Sequence, residues 1–457
     1  MQFPGPAAVV GCLLLAACAT DPGARLREAN RATPQIVVER PAYPGYGEAV
    51  GRQSLNWSHA SLARDFGKIM FETEWGGKQT KLLKWKDRVE VAVASKELDG
   101  YRPEIARYVS LLDANTPDLS ISLVPGSKGD ITFRTAPAAE MSVDIPATQC
   151  FITPVDMDWP AFLSASERGE IDWEKIDRLE KVTIFIPAFS APVNIRECIL
   201  EELIQALGPA NDLYGLEDSL FNDDEAHIWP TAFDLKILDI LYSDDLVAGM
   251  NRKTAVSAAK QALARSAEGA DKREWPNAAK LYHAEYHRYL ITEDKKVSRD
   301  ALKRAENFAK LLPENDHRRG EVRRSQAFIA NGASDYDSAV AFAEEAIQIF
   351  ETGLSEDSLR LARMRSDYGY FLSKNDRYEE ALVSLEKALP VLAANAAEDE
   401  FVQTLRLRAY VHIFLENQPE AQSAARETIA WARYAYGADS RKVRKWSDEF
   451  RSRGLKL

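Results

Sequence analysis

Ile199 to Gly208 reads ILEELIQALG. Ile199, Leu203, Ala206 and Leu207 recur at three- and four-residue steps and form one apolar face of a helix. Glu201, Glu202 and Gln205 fall on its polar side. Asn194 is placed to cap the start, and Gly208 to end it. Upstream, Val89, Val91 and Val93 alternate with polar or small residues, as a strand does. Pro103 suits the first turn of a helix whose apolar face is Ile105, Tyr108, Val109 and Leu112. LSISLV (119–124), ITFRTA (131–136), TQCFITPV (148–155) and VTIFIPA (182–188) read as four more strands. Leu62, Phe66, Ile69 and Met70 give a further helix between Trp57 and Trp75. A mixed sheet with helices on it, of α+β or α/β type, is the expected fold.

Beyond Met250 no strand pattern survives. The segment is Ala-rich and charged, and it repeats. YDSAVAFAEEAI (336–347) matches YEEALVSLEKAL (378–389) at an offset of 42, and QPEAQSAARETI (418–429) follows at 40. SRDALKRAENFA (298–309) is a weaker copy at 38. Small residues recur where two helices must approach closely: Ala339, Ala343 and Ala346; Ala381 and Ala388; Ala421 and Ala425. Between the copies lie further helices, one carrying Tyr368, Gly369 and Tyr370. Helix pairs of this length, stacked on their neighbours, resemble tetratricopeptide repeats. The resemblance covers about 255 to 440 and implies a surface for protein or peptide partners; an irregular helical bundle is the alternative.

The chain has 457 residues and a net charge of -12, which argues against general nucleic-acid binding and for more than one domain. Ala7 to Ala17 reads AAVVGCLLLAA, too short to span a bilayer but suited to the apolar part of an export signal. Leu15-Ala16-Ala17-Cys18 resembles the lipobox of bacterial lipoproteins, although residues 1–17 lack Lys and Arg. The resemblance implies cleavage before Cys18, lipid on that residue and attachment to the membrane. Residues 18–54 then form a tether. Ala19 lacks the Asp that retains some lipoproteins at the inner membrane, which by analogy favours the outer membrane, facing the periplasm. Cys150 and Cys198 remain after export, as a disulfide or as two buried thiols; the disulfide is the expectation in an oxidising compartment.

The helix also resembles that of zinc metallopeptidases, H-E-x-x-H, in which two His bind zinc and the Glu is the general base. Glu201 and Gln205 stand where the His would be, and Glu202 where the base would be. In the longer metzincin pattern Gly208 matches the Gly and Asn211 the third ligand. DSLFND (218–223) resembles the Met-turn, with Phe221 for Met, and FDLKILDILY (233–242) the closing helix. ITFRTA resembles the upper edge strand that lines the cleft. Closer still is a bacterial family of unknown function, found in lipoproteins and envelope proteins. It carries C-x-x-x-E-x-x-Q-x-L-G, then N-D and S-L-F-N-D, here Cys198, Glu202, Gln205, Leu207, Gly208, Asn211, Asp212 and Ser219–Asp223.

Catalytic zinc takes three good ligands and keeps one position open. Glu201, Gln205 and Asn211 offer one good ligand and two oxygens suited to harder cations. Without metal, Glu202 has nothing to activate its water. The expectation is a non-catalytic zincin-like domain with no metal or cofactor, whose cleft includes Gln205, Asn211 and Asp212. A metal-dependent or acid–base hydrolase using Glu201 and Glu202 is the alternative, as is a purely structural helix. His227 lies in an acidic turn, and His283 and His287 stand four apart on a helix without further ligands. The sequence thus divides into a signal peptide (1–17), a lipidated tether (18–54), an α+β zincin-like domain (55–250) and an all-α tetratricopeptide-like repeat domain (251–457).

Overall fold

The computed structural model describes residues 38–52, 57–72, 79–116, 118–144, 150–209, 216, 219–222, 227, 229–266 and 277–457. Cys18, Asn211 and Asp212 lie outside the described residues, as do the expected signal peptide and the first part of the tether. The described residues form two compact units, one spanning 49–266 and the other combining 38–48 with 277–457.

The first unit opens with α1 (His59–Ile69), whose first turn is capped by the Ser58 hydroxyl accepting from the Ser61 N–H at 3.1 Å. Then come β1 (Val89–Val93), α2 (Arg102–Asn115), β2 (Ile121–Leu123) and β3 (Ile131–Ala136). α3 (Ala138–Asp144), β4 (Phe151–Thr153), α4 (Trp159–Glu167) and β5 (Val182–Pro187) follow. α5 (Pro192–Gln205), α6 (Ala232–Tyr242) and α7 (Arg252–Ala264) complete it. All five expected strands form. They make one sheet in the order β2-β1-β3-β5-β4, parallel except for β4 against β5.

β5 is buried along its whole length, and its side chains divide between the two faces of the sheet. Val182, Ile184 and Ile186 join the large core with α1, α2, α5, α6 and α7. Phe185 points the other way, into an aromatic cluster with Phe151, Trp159 and Phe162 whose ring centroids lie 5.0–6.3 Å apart. A parallel strand covered on both faces is expected to read as a continuous apolar run, as VTIFIP does.

Three expectations for the first unit change. ITFRTA is not an edge strand: β3 pairs with β1 through Val91↔Ile131 and with β5 from Ile131↔Val182 to Ala136↔Pro187. The antiparallel edge strand is β4. Asn194 does not cap α5, because Pro192 supplies the fixed φ of a first helical residue and moves the cap back to Ala191. α7, which begins after the expected boundary at 250/251, packs on α1 in the first unit. A Cβ on Gly67 of α1 would meet Val256 of α7 at 2.6 Å, so only glycine permits that approach.

The second unit is all helical apart from residues 38–48. Its described helices are α8 (Asn277–Ile291), α9 (Lys295–Ala309), α10 (His317–Gly332), α11 (Tyr336–Gly353), α12 (Leu359–Lys374), α13 (Tyr378–Ala394), α14 (Glu398–Phe414), α15 (Gln418–Tyr436) and α16 (Arg441–Ser452). They pair as α8 with α9, α10 with α11, α12 with α13 and α14 with α15. The seven alanines picked out by the repeat are all buried. Gly369 lets α12 approach α13, since a Cβ there would meet Leu385 at 2.7 Å. Successive first helices are linked by polar pairs: Arg360 with Glu321 at 2.7 Å, Arg363 with Glu400 at 2.7 Å and Arg406 with Glu449 at 2.7 Å.

The turn inside three of the four pairs also repeats. Ser334, Asp376 and Glu416 all take left-handed backbone, with φ of 61°, 57° and 58°. The following N–H, of Asp335, Arg377 or Asn417, donates to the carbonyl of Ala330, Leu372 or His412, closing the helix as a Schellman-type turn does.

The expected tether runs too far. Residues 38–48 pack with the repeat helices, because Tyr43 and Tyr46 bring two aromatic rings onto Phe401 and Trp431.

Candidate functional site

α5 leaves the carboxyl end of the interior strand β5. Between them Phe189 takes φ of 66°, an unusual conformation for a bulky residue, and stays partly exposed. In the second turn of α5, buried Arg196 faces Glu104 of α2 at 3.8 Å. Further along, Ile199, Leu203, Ala206 and Leu207 enter the core as their spacing requires. Of the three polar candidates, Glu201 is half-buried, while Glu202 is 3% and Gln205 6% exposed. The side chains at the places of the zincin base and second ligand therefore lie inside the fold. Cys198 sits on the same helix at disulfide distance from Cys150 beside β4, with Cα atoms 5.8 Å apart.

The far end of α5 is fastened by two side chains that sequence reasoning did not single out. The Trp85 indole N–H donates to the Ala206 carbonyl at 2.9 Å, and the Tyr242 hydroxyl donates to the Leu207 carbonyl at 2.6 Å. Burial pushes the Tyr242 hydroxyl well above the ordinary phenol range, so it stays a donor. These two bonds satisfy carbonyls that a helix end leaves open. Gly208 then takes φ of 133°, and a Cβ there would meet the Leu83 carbonyl oxygen at 2.7 Å.

The turn at 219–222 is fastened by Asp234 of α6. Its carboxylate accepts from the Ser219 hydroxyl at 2.6 Å, the Leu220 N–H at 3.0 Å, the Thr231 N–H at 2.7 Å and the Thr231 hydroxyl at 3.0 Å. Thr231 and Asp234 form a capping box for α6. Burial pushes the Asp234 carboxyl up to about 6, although its four donors pull the other way. The pattern T-x-x-D before an apolar run was the signal in the sequence that could have found it.

Residues 59–261 match the family model described as "Protein of unknown function (DUF2927)". The DUF2927 region begins at the first residue of α1 and ends inside α7, so it coincides with the first compact unit. It contains α5, the Cys150–Cys198 pair and the Asp234 clamp, and excludes the repeat helices α8 to α16. No curated protein matches the chain. Among solved structures, a Podosopora anserina kinesin light chain described as having nearly identical TPR-like repeats is 13% identical. The match covers 39% of this chain and 97% of that one at a TM-score of 0.32, too low to define a shared fold.

The remaining candidates do not converge. His283 Nε2 accepts from Arg318 Nε at 3.2 Å, which engages one of its two ring nitrogens. Burial lowers the affinity of His287 for a proton. His227 is half-exposed and its sequence neighbours on both sides fall outside the described residues. Among the described residues no three His, Cys, Asp or Glu side chains gather as a metal site. No described helix is long and apolar enough to cross a membrane.

Proposed function

We propose that this chain is a lipid-anchored protein of the bacterial envelope, held at Cys18, in which a zincin-like DUF2927 domain has lost peptidase chemistry and the helical repeats bind protein or peptide partners. The burial of Glu202 carries the non-catalytic reading. A general base must reach a water within hydrogen-bonding distance of the scissile group, and this carboxylate is 3% exposed. Adjacent residues on a helix also point about 100° apart, so Glu201 and Glu202 do not form a dyad. The edge strand β4, joined to α5 near Cys150 and Cys198, supports a retained cleft, because an edge strand can pair with an extended peptide.

Metal content tests this reading. The chain is purified under oxidising conditions without chelator, beside a Glu201→Ala, Glu202→Ala double variant. The expected result is no stoichiometric metal in either. Stoichiometric metal in the native chain, lost in the variant and accompanied by peptide hydrolysis, would replace it with the hydrolase reading. Anchoring is tested separately: mass spectrometry of the mature N-terminus is expected to find acylated Cys18, and Cys18→Ala to release the protein from the membrane fraction.

A further inference from the structure

Residues 38–48 precede the DUF2927 region in the chain, yet they pack with the repeat helices. They form no helix or strand there. Instead Tyr43-Pro44-Gly45-Tyr46 turns, with the Tyr46 N–H donating to the Tyr43 carbonyl at 3.3 Å, and so projects both rings onto one surface. Tyr43 meets Phe401 of α14 edge-on at 4.7 Å, and Tyr46 lies 4.9 Å from Trp431 of α15. Phe401 and Trp431 are fully buried and pack edge-to-face at 4.9 Å. The Gly47 N–H donates to the Ala393 carbonyl near the end of α13 at 2.9 Å. Arg408, Glu427 and Glu386, from the same three helices, act electrostatically on the Tyr43 hydroxyl.

This is how a folded surface holds a short peptide turn. Two aromatic anchors enter aromatic sites, one main-chain bond sets the register, and charges ring the edge. The segment itself stays half-buried to exposed. The indole N–H of Trp431 is buried without an acceptor among the described residues, so Trp431 contributes ring packing and not a hydrogen bond to the segment. A segment needed only to complete the helical core would be expected to bury its side chains fully.

We propose that α13, α14 and α15 form a recognition site for a turn-forming peptide with two aromatic residues three apart and a glycine directly after the second. In this structure the chain's own Tyr43–Gly47 fills the site, and a partner segment of that chemistry binds by displacing it. The proposal rests on the repeats being a binding domain and names what they bind. It does not depend on metal content or on lipid at Cys18.

The probe is a fluorescent synthetic peptide of residues 38–50, titrated into the full chain and into a Tyr43→Ala, Tyr46→Ala variant. A tethered segment competes at an effective concentration near millimolar, so the wild-type chain should bind the probe at least about tenfold more weakly than the variant. A probe carrying the same two alanines should lose about tenfold or more in affinity for the variant, since aromatic anchors dominate such sites. Absence of binding to a variant with native helical circular dichroism overturns the proposal, as does equal binding to both chains. A second measurement does not depend on that variant folding. A protease site is inserted between Arg52 and Gln53 of the wild-type chain, the chain is cut, and excess unlabelled peptide is added. Displacement of the N-terminal fragment supports the proposal; retention at saturating peptide overturns it.

Discussion

The Asp234 carboxylate holds the Ser219 hydroxyl at 2.6 Å across 15 residues of chain. One buried side chain thus caps α6 and fixes the 219–222 turn. Asp234→Ala removes the acceptor of four donors and leaves them buried. Each unsatisfied buried group costs about 1–3 kcal/mol, and the variant escapes about 3 kcal/mol of carboxylate burial, so it should lose at least about 1 kcal/mol at pH 7. Denaturant unfolding of the purified chain measures this. A loss below about 1 kcal/mol would mean that water replaces the carboxylate.

The same residue predicts a pH dependence. Its folded pKa, about 6, exceeds the ordinary carboxyl value of 3.8. The folded state therefore holds this proton more tightly than the unfolded state does. Its contribution is fully present below about pH 4 and is lost as pH rises through about 6. A shift of this size is worth about 3 kcal/mol. With Asp234→Asn as the non-titrating reference, wild-type stability should fall relative to the variant between pH 4 and pH 6.5. A flat difference would show that the four donors offset burial, and a rise that they outweigh it.

Cys150 and Cys198 are 48 residues apart and stand at disulfide distance between the start of β4 and α5. Closing a loop of that length in the unfolded chain is worth about 4 kcal/mol in the chain-entropy account. Thiol counting after oxidative purification should find neither cysteine free. Cys150→Ala with Cys198→Ala should then lower stability by about 2–4 kcal/mol. Two free thiols in the oxidised protein would remove the staple.

Period and punctuation made most of this fold legible. Period-two alternation marked β1, and the apolar run VTIFIP marked the buried β5. Alanine spacing marked where α11, α13 and α15 meet their neighbours. The order of strands was not legible, because ITFRTA carries the same residues whether a neighbour lies on one side or on both. The site was legible only along α5. Trp85, Tyr242 and Asp234 act on it from 121, 35 and 15 residues away along the chain, and no local pattern encodes such distances. Residues 38–48 misled for a related reason. Pro, Gly and Tyr without periodicity read as a tether when their partners, Phe401 and Trp431, lie hundreds of residues away.

Gly208 offers a sharper probe of α5 than its polar residues do. Its φ of 133° disfavours any side chain, and a Cβ would press on the Leu83 oxygen at 2.7 Å and on Leu241 at 3.0 Å. Gly208→Ala should therefore cost about 2–4 kcal/mol through strain and overpacking. Trp85→Phe, which removes one donor to the Ala206 carbonyl but keeps most of the ring, should cost less, about 1–2 kcal/mol. The two thermal midpoints in one buffer test the order. If Trp85→Phe is the more damaging, the helix is held by its carbonyl bonds and not by the close passage of Gly208.

The repeat turns make the opposite prediction, a gain. Glu416 has φ of 58° and an exposed side chain, and its N–H donates to the Ile413 carbonyl at 3.1 Å. A non-glycine residue in left-handed backbone carries about 1–2 kcal/mol of steric cost that glycine lacks. Glycine also widens the unfolded ensemble, which returns about 0.4–1 kcal/mol. The balance favours Glu416→Gly by about 0.5–1 kcal/mol, since no hydrogen bond or packed side chain is lost. Asp376→Gly shares the geometry at φ of 57°, but it sacrifices the bond in which the Tyr378 hydroxyl donates to Asp376 at 2.6 Å, so its gain should be smaller or absent. Differential scanning calorimetry of both variants decides this. Destabilisation by Glu416→Gly would show that left-handed backbone at this turn carries no strain for glycine to relieve.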